Sequence, residues 1–255
     1  TKIGEWERDK LCRFALLAGD EEPFVWDFGS AAVHHQLNCD WLDPNRCLAG
    51  MTGMRGTVPP SVGLMKSHAE EIMSYLKQAG VADMPIGLDI AETAMFFELQ
   101  NAGMNIVDGQ QVMLDAREIK NIDEITLLNQ AATMVDGVYH MIYEELKPGV
   151  RENDIVALSN QMLYEMGSDD VEAINAISGE RCSPHPHNFT DRMFRPGDQA
   201  FFDILQSYQG YRTCYYRTFN VGTATSEQND AYIQCREWLD KAIELIKPGV
   251  STDVV

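Results

Sequence analysis

The four residues Lys147-Pro148-Gly149-Val150 recur one hundred positions later as Lys247-Pro248-Gly249-Val250. Each copy follows an apolar stripe in the same register: Ala132, Val135, Tyr139, Ile142 and Leu146 before the first, Tyr232, Cys235, Leu239, Ala242 and Ile246 before the second. Spacings alternating between three and four place such residues on one face of an amphipathic helix. Proline removes an amide donor and glycine admits left-handed backbone, so the tetrapeptide stops both helices at equivalent points. Two matching helix faces weigh more than four matching letters, and the chain reads as an internal duplication. The second copy reaches only Val255. Half a duplicated domain would leave strand edges and apolar faces uncovered, which predicts that the complete polypeptide continues further.

The first copy opens at Ile122, with Asp123 and Glu124 at the positive end of the helix dipole. After its stop come a helix from Glu152 to Met166 and strands near Ala173 to Ile177, Gln199 to Gln206 and Tyr211 to Val221, the last two joined by a turn at Gln209-Gly210. The preceding sequence has another style. Leu11 to Leu17 and Pro23 to Phe28 read as a hairpin, and a Gly- and Pro-rich loop follows. Leu64, Met65, Ile72, Met73 and Leu76 predict a helix stopped at Gly80; Ile86 to Ile90 predicts a buried strand, Ala91 to Ala102 a helix, and Met104 to Asp108 a short strand. The fold class is therefore α/β, with a small amino-terminal α/β domain over residues 1–115 and a second domain over residues 116–255.

Thirty-nine acidic residues against 20 basic ones give a net charge of -19, which repels phosphate backbones and anionic lipid. Nucleic acid and membrane are excluded as expected partners, and no apolar run approaches the ~20 residues that span a bilayer. The six cysteines are scattered without the close pairs of a zinc ribbon or redox motif, so they read as separate thiols in a cytoplasmic protein.

Three positions stand out chemically. Asp203 lies within the apolar run Gln199-Ala200-Phe201-Phe202-Asp203-Ile204-Leu205, where a carboxylate is costly unless it is paired, hydrogen-bonded or bound to a metal. His185 and His187 flank Pro186, on one side of an extended segment, and can bind a metal or move a proton. The proline and the lack of a third nearby ligand favour the proton role.

Together with Arg117-Glu118-Ile119-Lys120, Ser178-Gly179, Gly197-Asp198, Gly210-Tyr211 and Arg217-Thr218-Phe219, these segments resemble the creatinase, prolidase and methionine aminopeptidase superfamily. The resemblance implies a pita-bread domain built from two related halves, truncated in this chain, behind a prolidase-like amino-terminal domain. It also implies hydrolysis of C-N bonds, as in Xaa-Pro dipeptidases and aminopeptidase P. Metal-dependent relatives carry two aspartates eleven positions apart, with further His and Glu ligands later in the chain. Asp203 matches the first aspartate, and Cys214 stands at the second.

A carboxylate can bridge two hard cations, whereas a thiolate is softer, so one divalent ion (zinc, manganese or iron) or none is expected instead of two. The alternatives are a metal-free hydrolase like creatinase, with His185 or His187 handling the proton, a lyase like the dimethylsulfoniopropionate-cleaving branch, and a catalytically silent binding module. A small molecule or dipeptide is the expected substrate. Tyr211, Arg217 and Trp26 are the candidate contacts to it, Trp26 through the homodimer that such proteins form.

Overall fold

The computed structural model describes residues 13–53 and 56–255. The chain divides into two compact units between Asn121 and Ile122.

In the first unit, β1 (Phe14–Leu16) runs antiparallel to β2 (Phe24–Asp27), which also pairs in parallel with β3 (Cys47–Ala49). Leu11 and Cys12, at the start of the expected hairpin, lie outside the described residues. Helix α1 (Gly29–Asn38) connects β2 to β3, and α2 (Leu64–Gln78) buries Met65, Ala69, Ile72, Met73 and Leu76. That helical stripe packs with Trp26, Met51, Met95, Leu99 and Met104 into a methionine-rich core, which suits an irregular space because the thioether chain is flexible. Beyond it lie β4 (Ile86–Leu88), α3 (Thr93–Asn101) and β5 (Ile106–Asp108), with β4 and β5 paired in parallel. The strand expected over Ile86 to Ile90 is shorter and only half-buried, with Ile90 exposed, because a two-stranded sheet covers little of its own surface. Helix α4 (Gln110–Glu118) touches β4, so the division falls after this helix and not at residue 115.

The second unit lays α5 (Ile122–Glu145) and α6 (Glu152–Glu165) against an antiparallel meander of β6 (Asp170–Ser178), β7 (Gln199–Tyr208) and β8 (Tyr211–Asn220). Strand β7 is central and almost wholly buried, which explains its nearly continuous apolar run. The turn at Gln209-Gly210 has positive φ at both residues, 52° and 82°, the backbone a two-residue hairpin requires.

Helix α5 buries Ala131, Met134, Val135, Val138, Tyr139 and Ile142. Ile125, seven residues before Ala132 on the same helical spacing, is exposed, as is Ile122. The buried face begins near Ala131, whose carbonyl accepts from Gln206 Nε2 at 3.0 Å.

Helix α7 (Ser226–Leu245) ends one hundred residues after α5. Both helices are closed alike: Val150 N donates to Lys147 O at 3.2 Å and Val250 N to Lys247 O at 3.1 Å, while Gly149 and Gly249 sit at φ 91° and 84°. The repeat seen in the letters is thus a repeat of backbone conformation. Whereas α5 buries its stripe, α7 exposes Tyr232, Ile233, Trp238, Leu239, Ile243 and Ile246. Among the described residues no helix is long and apolar enough to cross a membrane.

Candidate active site

Strand alternation places Asn175, Asp203, Tyr216 and Cys214 on one face of the meander, with Asn175 and Tyr216 directly opposite Asp203 on its two neighbours. Asp203 is only 2% exposed. Its burial is made tolerable by protein donors on both oxygens: Asn175 Nδ2 to Oδ2 at 3.1 Å and Cys214 Sγ to Oδ1 at 3.3 Å. Cys214 is diagonal to Asp203, because the residue facing it across the ladder is Leu205. The two are thus offset by two positions along the ladder, on the same face and in contact.

Burial first, then the Asp203 hydrogen bond and the negative charges of Asp203 and Glu172, push the Cys214 thiol above its ordinary range. The thiol therefore keeps its proton at neutral pH and acts as a donor to Asp203. Burial and the same carboxylate raise the Tyr216 phenol.

The loop between β6 and β7 brings His185 to this face. Its ring meets Phe201, two residues before Asp203 on β7, edge-on at a centroid distance of 5.1 Å, and His187 lies 4.8 Å from His185. Phe201 in turn contacts Tyr216 at 6.1 Å. Both imidazoles are exposed. The structure thus sets His185 beside Phe201, on the strand face that also carries Asp203 and Cys214, with His187 next to His185.

The expected substrate contacts lie elsewhere. Tyr211 and Arg217 have the opposite parity on β8 and project toward α5: Tyr211 Oη donates to Glu124 at 2.9 Å, and Arg217 stacks over the Tyr215 and Tyr139 rings at 4.6 and 5.5 Å. Trp26 belongs to the first unit, where it is 1% exposed, stacks on Phe14 at 4.6 Å and donates from Nε1 to Glu71 at 3.1 Å. A ring used so fully for packing has no face left for substrate, so these three assignments are revised on position.

Two groups near the site escaped the sequence reading. Asn175 sits inside an apolar strand, and the polar interruption opposite Asp203 was the available signal. Glu152, which the sequence marks only as a helix start, is fully buried and accepts from Ser178 Oγ at 2.7 Å, Thr190 N and Thr190 Oγ1 at 2.8 Å each, and the Arg181 guanidinium.

Among the described residues no three or more His, Cys, Asp or Glu side chains are placed to hold a metal ion. Asp203, whose oxygens accept from Asn175 and Cys214, and Cys214 itself are the residues of this face that could hold an ion.

Comparison with known proteins agrees with this architecture. A protein named "Probable dipeptidase PepE" from Mycobacterium tuberculosis is 26% identical over 228 residues, covering 89% of this chain and 55% of that protein. An Xaa-Pro dipeptidase of Pyrococcus horikoshii is 28% identical over 141 residues, 55% of this chain and 40% of the relative. The chain spans about half the length of the curated relatives it matches. Among solved structures, the prolidase from Pyrococcus furiosus shares the fold with a TM-score of 0.62 at 22% identity, over 71% of this chain and 53% of that one. The sequence pattern of metallopeptidase family M24 matches residues 126–255, the whole helix-and-meander unit but for its first turn, and the chain belongs to that family.

Proposed function

We propose that the second unit carries part of the active site of a C-N bond hydrolase acting on small peptides, with Asp203 and Cys214 at its floor and His185 or His187 at its rim. The observation that carries this reading is the convergence of Asp203, Cys214 and His185 on one sheet face. The kinship to dipeptidases supplies the substrate class. An imidazole has two ring nitrogens that can accept and donate a proton, which suits it to deliver one to a leaving amine. Asp203, held by Asn175 and Cys214, supplies a fixed acceptor that can orient a donor group of the substrate. One divalent ion or none is the expected complement, since a cation at this position must compete with the Cys214 proton.

A metal-free, creatinase-like amidinohydrolase is the second reading, favoured by the same thiol-to-carboxylate hydrogen bond. Elemental analysis of the purified protein, run beside hydrolysis assays with Xaa-Pro dipeptides and small guanidino compounds, separates the two. Dipeptide turnover with at most one ion per chain supports the first reading, and turnover of guanidino compounds without metal supports the second. Two tightly bound ions per chain would overturn the reading of Cys214, and no turnover of either class would overturn both.

A further inference from the structure

The loop that carries His185 and His187 is exposed at its tip, and a buried side chain outside it holds both sides of its base together. Glu152, at the start of α6, is 0% exposed. Its Oε1 accepts from Ser178 Oγ, where the loop leaves β6, at 2.7 Å. Its Oε2 accepts from Arg181, three residues further, and from both Thr190 N and Thr190 Oγ1 at 2.8 Å, where the loop returns. The two sides are also joined directly: Arg181 donates to Thr190 Oγ1 at 3.1 Å and to Asn188 Oδ1 at 2.5 Å, and Ala176 N donates to Asn188 O at 3.2 Å. The backbone of α6 adds Asn153 N to Thr190 O at 3.1 Å.

A buried carboxylate is stable only when its charge and lone pairs are answered. Here every recorded donor to Glu152 comes from one of the two loop ends. The carboxylate therefore cannot be satisfied unless both ends are in place, and its demand for donors fixes the base of the loop. The tip is then short enough for His185 to be held against Phe201 at 5.1 Å.

We propose that Glu152 is a positioning residue for His185 and His187, its carboxylate closing the loop that sets both imidazoles beside Phe201 at the rim of the Asp203 face. The proposal rests on the reading of these histidines as the proton-handling groups, but it concerns where they are held and is testable without turnover.

The test is NMR of the imidazole C-H resonances together with amide hydrogen exchange, on the wild-type protein and the variants Glu152→Gln, Arg181→Met and Thr190→Val. In wild type, the edge-on Phe201 ring gives His185 a ring-current shift. The expected result for Glu152→Gln and Arg181→Met is loss of that shift and exchange about tenfold faster at residues 183–189, with protection of β7 and β8 unchanged. Thr190→Val, which removes one donor of the set, should give a smaller change in the same direction. Retention of the His185 shift and of loop protection in both principal variants would overturn the proposal. Loss of protection throughout β6 to β8 in Arg181→Met as well as Glu152→Gln would also overturn it, because the carboxylate would then hold the unit and not the loop. Failure to hydrolyse any dipeptide would remove the functional reading and leave this result standing.

Discussion

A single carboxylate shows how far residue-level reasoning reaches. Asp203 was legible because a carboxyl inside an apolar run demands partners, and Asn175, Cys214 and Tyr216 supply them. Asn175 was not legible, because one amide in a strand does not break its pattern enough to announce a pairing. Cys214 replaces an acceptor with a donor, so Cys214→Asp removes the thiol hydrogen bond and sets two carboxylates side by side. The expected outcome is uptake of one additional equivalent of manganese or zinc over wild type, read by equilibrium dialysis and elemental analysis. No gain would show that Cys214 does not govern metal occupancy. Gly179 offers a second residue-level test. It sits at φ 57°, and a Cβ there would lie 2.2 Å from Arg192 Nη2 and 2.9 Å from Asp198 Oδ1. Gly179→Ala must displace the Arg192 fork, with an expected loss of about 1–3 kcal/mol in urea unfolding.

At the scale of elements, helix and strand existence followed from periodicity and from Pro and Gly punctuation, while burial depended on what each element meets. The α5 stripe was correctly phased near Val135, Tyr139 and Ile142, yet Ile125 is exposed although Tyr211 of β8 reaches Glu124 beside it. That mismatch is invisible in a local pattern. So was the side of β8 on which each tyrosine lies, until its register with β7 placed Tyr211 and Arg217 toward α5.

The turn between Thr190 and Gln199 is held by Arg192, whose Nη1 donates to Asp198 Oδ2 at 2.6 Å and whose Nη2 donates to Glu180 Oε2 at 2.7 Å. The Arg192 hydrogen bonds lower the Glu180 carboxyl from its ordinary 4.5 to about 2. Burial raises Asp198, but the Arg192 and Arg195 N–H bonds outweigh it and the net shift is downward from 3.8. A carboxyl depressed in the folded state stabilises above its unfolded value and loses that contribution as pH falls through its folded value. Stability should therefore decline from about pH 4.5 toward pH 2. Arg192→Met should cost about 3 kcal/mol at neutral pH by removing the cation from Asp198, which keeps only the Arg195 N–H, and should flatten that acid limb, as read by urea unfolding between pH 2 and pH 7. An unchanged acid limb would remove the network from the account.

For the molecule as a whole, the hundred-residue repeat was the strongest sequence signal, and it reappears in the turn and the positive glycine φ that close both α5 and α7. The two copies differ in burial: the α5 stripe is covered by the meander, and the matching face of α7 is exposed among the described residues. Fold class and family were legible because they rest on periodicity and motif spacing, which local sequence carries. The site was legible only in part, since Asn175 and the four donors to Glu152 are brought together by pairings across 26 to 38 residues, as between Glu152 and Ser178 or Glu152 and Thr190. The central claim is that the face built around Asp203 performs C-N bond hydrolysis. It is tested most directly by kcat/KM for an Xaa-Pro dipeptide in wild type and in Asp203→Asn, a variant of nearly equal volume whose amide keeps an acceptor for Asn175. The account predicts a fall of at least about a hundredfold with the fold intact by circular dichroism, and an Asp203→Asn protein within twofold of wild type would contradict it.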